Sequence, residues 1–263
     1  MLEPGPAEAL AGVLDVPVPD EALPLMWHGV YLLERPRQSD VGPDGHPVRH
    51  SVPTPPAHGL RRMFAGGRTT VHRPLRVGEP ATRRTRVTAT ATREGRTGRL
   101  TFVTVAHEYE QNDALAVLDE QDLVYRAKRS PSADPPVAEE PAEALPLGTG
   151  ERAVPIDPTL LFRFSALTYN AHRIHYDRTF ATLAEGYPGL LVHGPLQSLL
   201  MAEQARAAGL PIGPVRFEYR LESPLFDAQG CVVGAAGGRG GFRTHVRDTT
   251  GRRTATGSVV PGA

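Results

Sequence analysis

The chain has 263 residues, and its 29 Lys and Arg balance 29 Asp and Glu. A formal net charge of zero gives no global pull towards nucleic acid or an anionic membrane, so neither partner is expected. The single cysteine, Cys231, excludes an internal disulfide and is expected to be a small core residue.

Taken from the N-terminus, the first residues carry no basic stretch ahead of an apolar one. No apolar run reaches the ~18 residues of a membrane span. A signal peptide is not expected, and the cytoplasm is the expected location. Residues 21–33 are apolar nearly all round and predict a buried helix that carries Trp27 into the core. Residues 35–59, dense in Pro, Gly and His, predict a long surface loop of the kind that carries function. Arg61, Arg62, Arg68, Arg73, Arg76, Arg83, Arg84 and Arg86 then crowd one region. They read as a solvated strand face, or as a landing site for the phosphates of coenzyme A or a carrier-protein arm, with Arg62, Arg68 and Arg73 as candidates. Few aromatics interleave them, which disfavours single-stranded nucleic acid.

Two strands follow. Thr85, Val87, Ala89 and Ala91 alternate with Arg84, Arg86, Thr88 and Thr90. Thr101, Val103, Val105, His107 and Tyr109 alternate with Leu100, Phe102, Thr104, Ala106 and Glu108. Glu94-Gly95 and Thr97-Gly98 supply the turn between them. Residues 130–150, rich in Pro, Ala and acids, predict a linker that divides the chain into 1–129 and 151–263.

The second half holds the chemistry. His172-Arg-Ile-His175-Tyr-Asp177 precedes Gly189-Leu-Leu-Val-His193-Gly194-Pro195 by a short stretch. Pro195 opens, and Gly209 closes, a predicted buried helix over 195–208. The free N–H groups at such a helix start suit an oxygen that gains negative charge, and His175 supplies a proton-transfer group nearby. This combination points to chemistry on an acyl thioester. Val215, Phe217, Tyr219 and Leu221 alternate with charged residues as a half-buried antiparallel strand, and 242–246 and 254–260 continue the series. His72-Arg-Pro-Leu75 is echoed by Glu222-Ser-Pro-Leu225, each just after a strand. Each half thus offers one buried helix and about five antiparallel strands. Fusion would join the two sheets and remove two edges, while the remaining edges leave self-association as a homodimer open.

The motifs 162–177 (Phe-Arg-Phe-Ser-Ala-Leu-Thr-Tyr-Asn-Ala-His-Arg-Ile-His-Tyr-Asp) and 186–196 (Gly-Tyr-Pro-Gly-Leu-Leu-Val-His-Gly-Pro-Leu) closely resemble MaoC-like hydratases of the double hot-dog type. They are most similar to the mesaconyl-C4-CoA (3-methylfumaryl-CoA) hydratases and the mitochondrial type 2 hydroxyacyl-thioester dehydratases. Residues 62–68, 72–79, 102–109 and 122–126 resemble the noncatalytic hot dog of those proteins. The resemblance implies an α+β double hot-dog fold and reversible hydration of a 2-enoyl thioester to a hydroxyacyl thioester, with a leaning to (3R) products. The first half, 1–129, lacks a His-x-Asp counterpart and should be a noncatalytic lid and acyl pocket; 151–263 should be catalytic. The general motif of that family, Asp-x-Asn-Pro-x-His-x-Asp, puts its histidine on His175 and its last aspartate on Asp177. Its asparagine falls on His172, and its first aspartate on Asn170, whose amide cannot take a proton. Phe64 stands where relatives often carry tryptophan.

The expected roles are therefore His175 as base, Asn170 as the holder of water or hydroxyl, and the Gly194 N–H as donor to the thioester oxygen. His172, Asp177 and His193 are candidate substrate contacts, with a turn cap as the alternative for Asp177 and a packed histidine for His193. His172 and His175 form a His-x-x-His pair, but no third or fourth ligand is evident nearby, so neither a metal nor a cofactor is expected. The expected partner is an acyl-CoA or acyl-carrier-protein thioester. Two rival functions remain at this point: a noncatalytic acyl-thioester-binding or scaffolding subunit, and a hot-dog thioesterase.

Overall fold

The computed structural model describes residues 1–48, 60–95, 98–127 and 143–262. Nine antiparallel strands form one sheet in the order β2-β3-β4-β1-β6-β9-β8-β7-β5. In the first half these are β1 (Leu60–Val71), β2 (Thr82–Gly95), β3 (Gly98–Gln111) and β4 (Ala114–Ala127). In the second they are β5 (Glu151–Ala153), β6 (Val215–Leu221), β7 (Val232–Gly238), β8 (Gly241–Arg247) and β9 (Arg253–Pro261). The halves join where β1 pairs with β6, Thr69 opposite Phe217. The predicted fusion of two sheets is therefore present, and the fold is an α+β double hot dog. None of the described helices is long and apolar enough to cross a membrane.

Strand patterning behaves as the period-2 reading requires. On β6, Val215, Phe217 and Tyr219 are buried and the residues between them exposed. On β3, Thr101, Val103, Val105, His107 and Tyr109 are all buried. β2 is the outermost strand of its half and is largely exposed beyond Thr85, as an edge strand must be. Cys231 is buried, and so is Trp27. Of the expected linker, only 143–150 lies within the described residues; there Leu145 N donates to Thr249 O at 2.7 Å, tying the segment to the second half.

The helix over the second half forms as read. α3 (Gly194–Ala207) has Pro195 in its first turn and Gly209 at φ 105° just beyond it. Its residues from Leu196 to Ala205 are all buried, and it packs against β7, β8 and β9. The first half departs from expectation. No helix spans 21–33: the segment is irregular apart from one 3-10 turn, Trp27–Val30. Pro24 cannot donate inside a helix, and Met26 and Leu32 adopt positive φ (72° and 53°). The apolar run is buried because the chain threads the core, not because it coils there. Helix α1 (Pro4–Leu14), which periodicity did not single out, fills the space by packing on that turn and on α2 (Pro158–Leu167).

The echoed motifs are structurally equivalent. Leu23 N donates to Leu75 O and Val192 N to Leu225 O, each at 2.8 Å, and Leu75 and Leu225 are both buried. Aligning these pairs sets Trp27 against Leu196. In this alignment the 3-10 turn Trp27–Val30 takes the place of the first turn of α3. Trp27 Nε1 donates to the buried Glu203 Oε1 of α3 at 2.8 Å, which locks the two halves together.

Candidate functional site

His175 ends a 3-10 turn, Arg173–His175, that is held from both sides. On its own side, Asn170 Oδ1 accepts from His172 N at 3.1 Å. Asp177 Oδ1 accepts from Phe180 N at 2.9 Å, and the Arg173 guanidinium meets Asp177 Oδ2 at 2.7 Å. From the first half, Asp44 O accepts from Arg173 N at 2.9 Å, and Pro43 O accepts from Arg173 Nη1 at 2.9 Å. Gly45, at φ 90°, presses so close that a Cβ there would lie 1.7 Å from Ala171 O. Only glycine allows this approach.

The His175 ring is 7% exposed and donates from Nδ1 to Leu191 O at 2.7 Å. That bond fixes the tautomer, so Nε2 carries the free lone pair; among the described residues the ring makes no other hydrogen bond. Burial first, then the nearby His46, lowers its pKa from 6.5 to about 4, against the opposing pull of Leu191 O. The ring is therefore neutral at physiological pH. It stacks on His193 with centroids 3.7 Å apart and meets His172 edge-on at 5.6 Å. His193 is fully buried, bonds through Nε2 to Ser165 Oγ at 2.8 Å, and leaves Nδ1 without a partner. Its pKa is pushed well down by burial and by His175 and His172, so this stack excludes extra protons.

Gly194 follows directly at the start of α3. A Cβ on it would sit 2.7 Å from Phe64 Cδ1. Phe64 comes from β1 at a bulge and stacks on Tyr219, so the first half lays an aromatic face over the N–H end of α3. Phe64, Asn170 and Pro195 line one cavity of about 200 Å³, together with Leu10, Met26, His28, Val30, Asp119, Gln121, Phe164, Leu199 and Tyr219. Both halves thus line this cavity; of the candidates His175, Asn170 and Gly194, only Asn170 belongs to its lining. With its Oδ1 engaged by His172 N, Asn170 has its amide N–H₂ left to offer a ligand.

The remaining sequence candidates scatter. Asp177 spends its carboxylate on Arg173 and Phe180 N, the geometry of a turn cap. His193 is packed against His175 and bonded to Ser165. Arg68 is not free for phosphate: it pairs with Glu120 at 3.1 Å and Asp122 at 3.0 Å. Arg62 bonds to Tyr125 and lies close to Asp44 and His46. Arg73 is at the surface and donates to Ala114 O at 2.8 Å.

Sequence reasoning missed the loop residues Asp44 and His46. Their ligand atoms and that of His172 lie within 4.8 Å of one another, which supplies the further ligands for His172 that the sequence did not reveal. The cluster is closed on itself, however. His46 Nδ1 meets Asp44 Oδ2 at 3.2 Å and the His46 and His172 rings touch at 3.8 Å. Burial works against the Asp44 carboxylate, yet the His46 bonds hold its pKa well below the usual range; burial also keeps His46 and His172 uncharged. The neighbouring Arg62 guanidinium opposes a cation there. The one local signal was Pro43-Asp-Gly-His46, a turn with two chemically active side chains around a glycine.

Residues 26–227 match the model of the hydroxyacyl-thioester dehydratase type 2 family. The chain is 48% identical over 213 residues to a mesaconyl-C(4)-CoA hydratase of Chloroflexus aurantiacus, covering 80% of this chain and 74% of that one. Among solved structures, HtdX of Mycobacterium tuberculosis superposes with a TM-score of 0.68 at 19% identity, over 99% of this chain and 97% of that one. A MaoC-like dehydratase does so with a TM-score of 0.70 at 15% identity, over 100% and 95%.

Proposed function

Because the chain belongs to the hydroxyacyl-thioester dehydratase type 2 family, we propose that it is a hydro-lyase that adds water reversibly to a short 2-enoyl thioester, with His175 as the only acid–base group. The observation that carries the assignment is the 2.7 Å bond from His175 Nδ1 to Leu191 O, which leaves Nε2 unprotonated. In hydration Nε2 takes a proton from water as the oxygen bonds to Cβ. The π electrons move to the thioester oxygen, and the imidazolium then returns the proton to Cα. The free Gly194 N–H, helped by the start of α3, holds the oxygen as it gains charge. Asn170 orients the water through its amide and moves no proton, which removes the need for a carboxylate at that position.

Cavity size supports a short acyl group: an engineered cavity of ~150 Å³ takes a benzene, and this one is about 200 Å³. We propose a branched acyl-CoA of the 3-methylfumaryl type, as the relative's name indicates for that protein. A cytoplasmic location fits the single buried thiol of Cys231. A homodimer is part of the same proposal, through the sheet edges at β2 and β5.

The test follows loss of the conjugated thioester absorbance with several enoyl-CoA compounds. His175→Ala should lower turnover ~10²–10⁴-fold while the protein stays folded. Wild-type turnover in that variant would remove His175 from the mechanism. Release of free thiol would replace the hydratase with a thioesterase.

A further inference from the structure

A row of four imidazoles runs across the join between the halves. His46 lies against His172 with ring centroids 3.8 Å apart, His172 meets His175 edge-on at 5.6 Å, and His175 stacks on His193 at 3.7 Å. Three of these rings are tied by a hydrogen bond at a ring nitrogen: His193 to Ser165, His175 to Leu191 O, and His46 to Asp44. Among the described residues the His172 ring has no such tie. The bonds of that residue, from its N to Asn170 Oδ1 and from His175 N to its O, hold the main chain only. Its side chain is placed by the rings on either side of it.

His46 is fixed twice over. The Asp44 carboxylate accepts from His46 N at 3.0 Å and from Nδ1 at 3.2 Å. An ionised carboxylate only accepts, so Nδ1 carries the proton and the ring is held in one pose. The hairpin that carries both residues is closed on itself: Val41 bridges Pro47, Gly42 N donates to His46 O at 2.8 Å and Val48 N to Asp40 O at 2.7 Å. It docks on the second half through the carbonyls of Asp44 and Pro43, which accept from Arg173. Docking therefore does not require the His46 ring, and the ring packs on His172. The base beyond is attached at one point only, Nδ1 on Leu191 O. The direction of its Nε2 is set by the rings it packs against, His193 on one face and His172 at the edge.

We propose that His46, held by Asp44, is a positioning residue for the reaction: it buttresses His172, which in turn holds the His175 ring with Nε2 aimed at the substrate. The proposal rests on the hydratase reading of His175. His46 touches no reacting atom and moves no proton; it acts on rate through the placement of the base. Burial keeps His46, His172 and His175 below the ordinary histidine range, so the row is uncharged and packs without repulsion. Arg62 and Glu185 are the other charged groups near His46.

The test is a double-mutant cycle on the full chain, with kcat and KM measured on one enoyl-CoA. His46→Asn keeps a donor for Asp44 and removes the rest of the ring, while the main-chain docking stays. It should lower kcat about 10- to 100-fold, the cost of a displacement of about 1 Å at the reacting groups, and leave KM little changed. His172→Ala should lower kcat at least as far, and His46→Asn on top of it should add nothing. Losses that multiply in the double variant, wild-type kcat in His46→Asn, or a loss confined to KM would each overturn the proposal. A second measurement needs no substrate. The His175 Nδ1–H, bonded to Leu191 O, should exchange with solvent faster in His46→Asn than in the wild type, as NMR of the histidine ring N–H signals shows. The indole N–H of Trp27, bonded to Glu203, is the reference that corrects for a change in global stability. An unchanged ratio of the two exchange rates overturns the proposal even if His172→Ala fails to fold. Should the wild type hydrate no enoyl thioester while the exchange rates differ in this way, the hydratase reading falls and the positioning of the ring stands.

Discussion

Acid should unfold this protein partly through His175, and the size of the effect follows from where the ring sits. In the folded chain its pKa is about 4, against 6.5 for an ordinary histidine. The group is therefore depressed in the native state, and the unfolded chain takes up its proton first. Its contribution is fully present above pH 6.5 and is lost as pH falls from there towards 4. At ~1.4 kcal/mol per pH unit, the loss is about 2 kcal/mol at pH 5 and about 3 kcal/mol at pH 4. The informative variant is His175→Gln, which is uncharged throughout and keeps a donor for Leu191 O. Urea unfolding of both proteins near pH 8 and near pH 5 gives four free energies. The wild type should lose about 2 kcal/mol more than the variant between the two conditions. Equal losses would mean that the ring is hydrated in the native state, and the argument for a buried, neutral base would fall with it.

Other variants address the rest of the site. Asn170→Ala should lower kcat by less than His175→Ala does, and Asn170→Asp should restore much of it, because either side chain can cap His172 N and hold water; steady-state kinetics on one enoyl-CoA compares all three. Gly194→Ala should cost about 1–3 kcal/mol, since the new methyl would overlap Phe64. It should also lower kcat by displacing that ring from the helix start, so thermal unfolding and turnover are read together. Trp27→Phe leaves the buried Glu203 without its indole donor, and denaturant titration should show a loss of about 1–3 kcal/mol with no change in pH profile.

How much of this was legible in the sequence depended on whether a residue's role was local. β6 could be read because burial on one face of a sheet writes itself as alternation at Val215, Phe217 and Tyr219. α3 could be read because Pro195 and Gly209 mark its ends chemically. The segment 21–33 misled for the same reason in reverse. Continuous apolarity reports burial but carries no period, and Pro24 breaks the run where a helix would need a donor. Asp44 and His46 were illegible on other grounds: their partners, His172 and Arg173, lie more than a hundred residues away in the chain, and no local pattern encodes such a meeting. Arg68 shows the opposite error. A cationic cluster suggested an anionic ligand, but the strand pairing of β1 with β4 had already placed Glu120 and Asp122 across from it.

The first half is therefore not a passive duplicate. It holds one 3-10 turn where the second half holds α3, and no His-x-Asp motif. In exchange it supplies Phe64 over the start of α3, the Asp44–Gly45 turn against His172 and Arg173, and the polar floor at His28 and Asp119. The first two contacts bear on different parts of the proposed site: the start of α3 and the placement of His175. A symmetric pair of catalytic hot dogs would need one surface to serve all of these functions twice. On the proposed reading, fusion lets one half carry the reaction while the other shapes the pocket around it. The shared core, pinned by the bond between Trp27 and Glu203, holds the two in register.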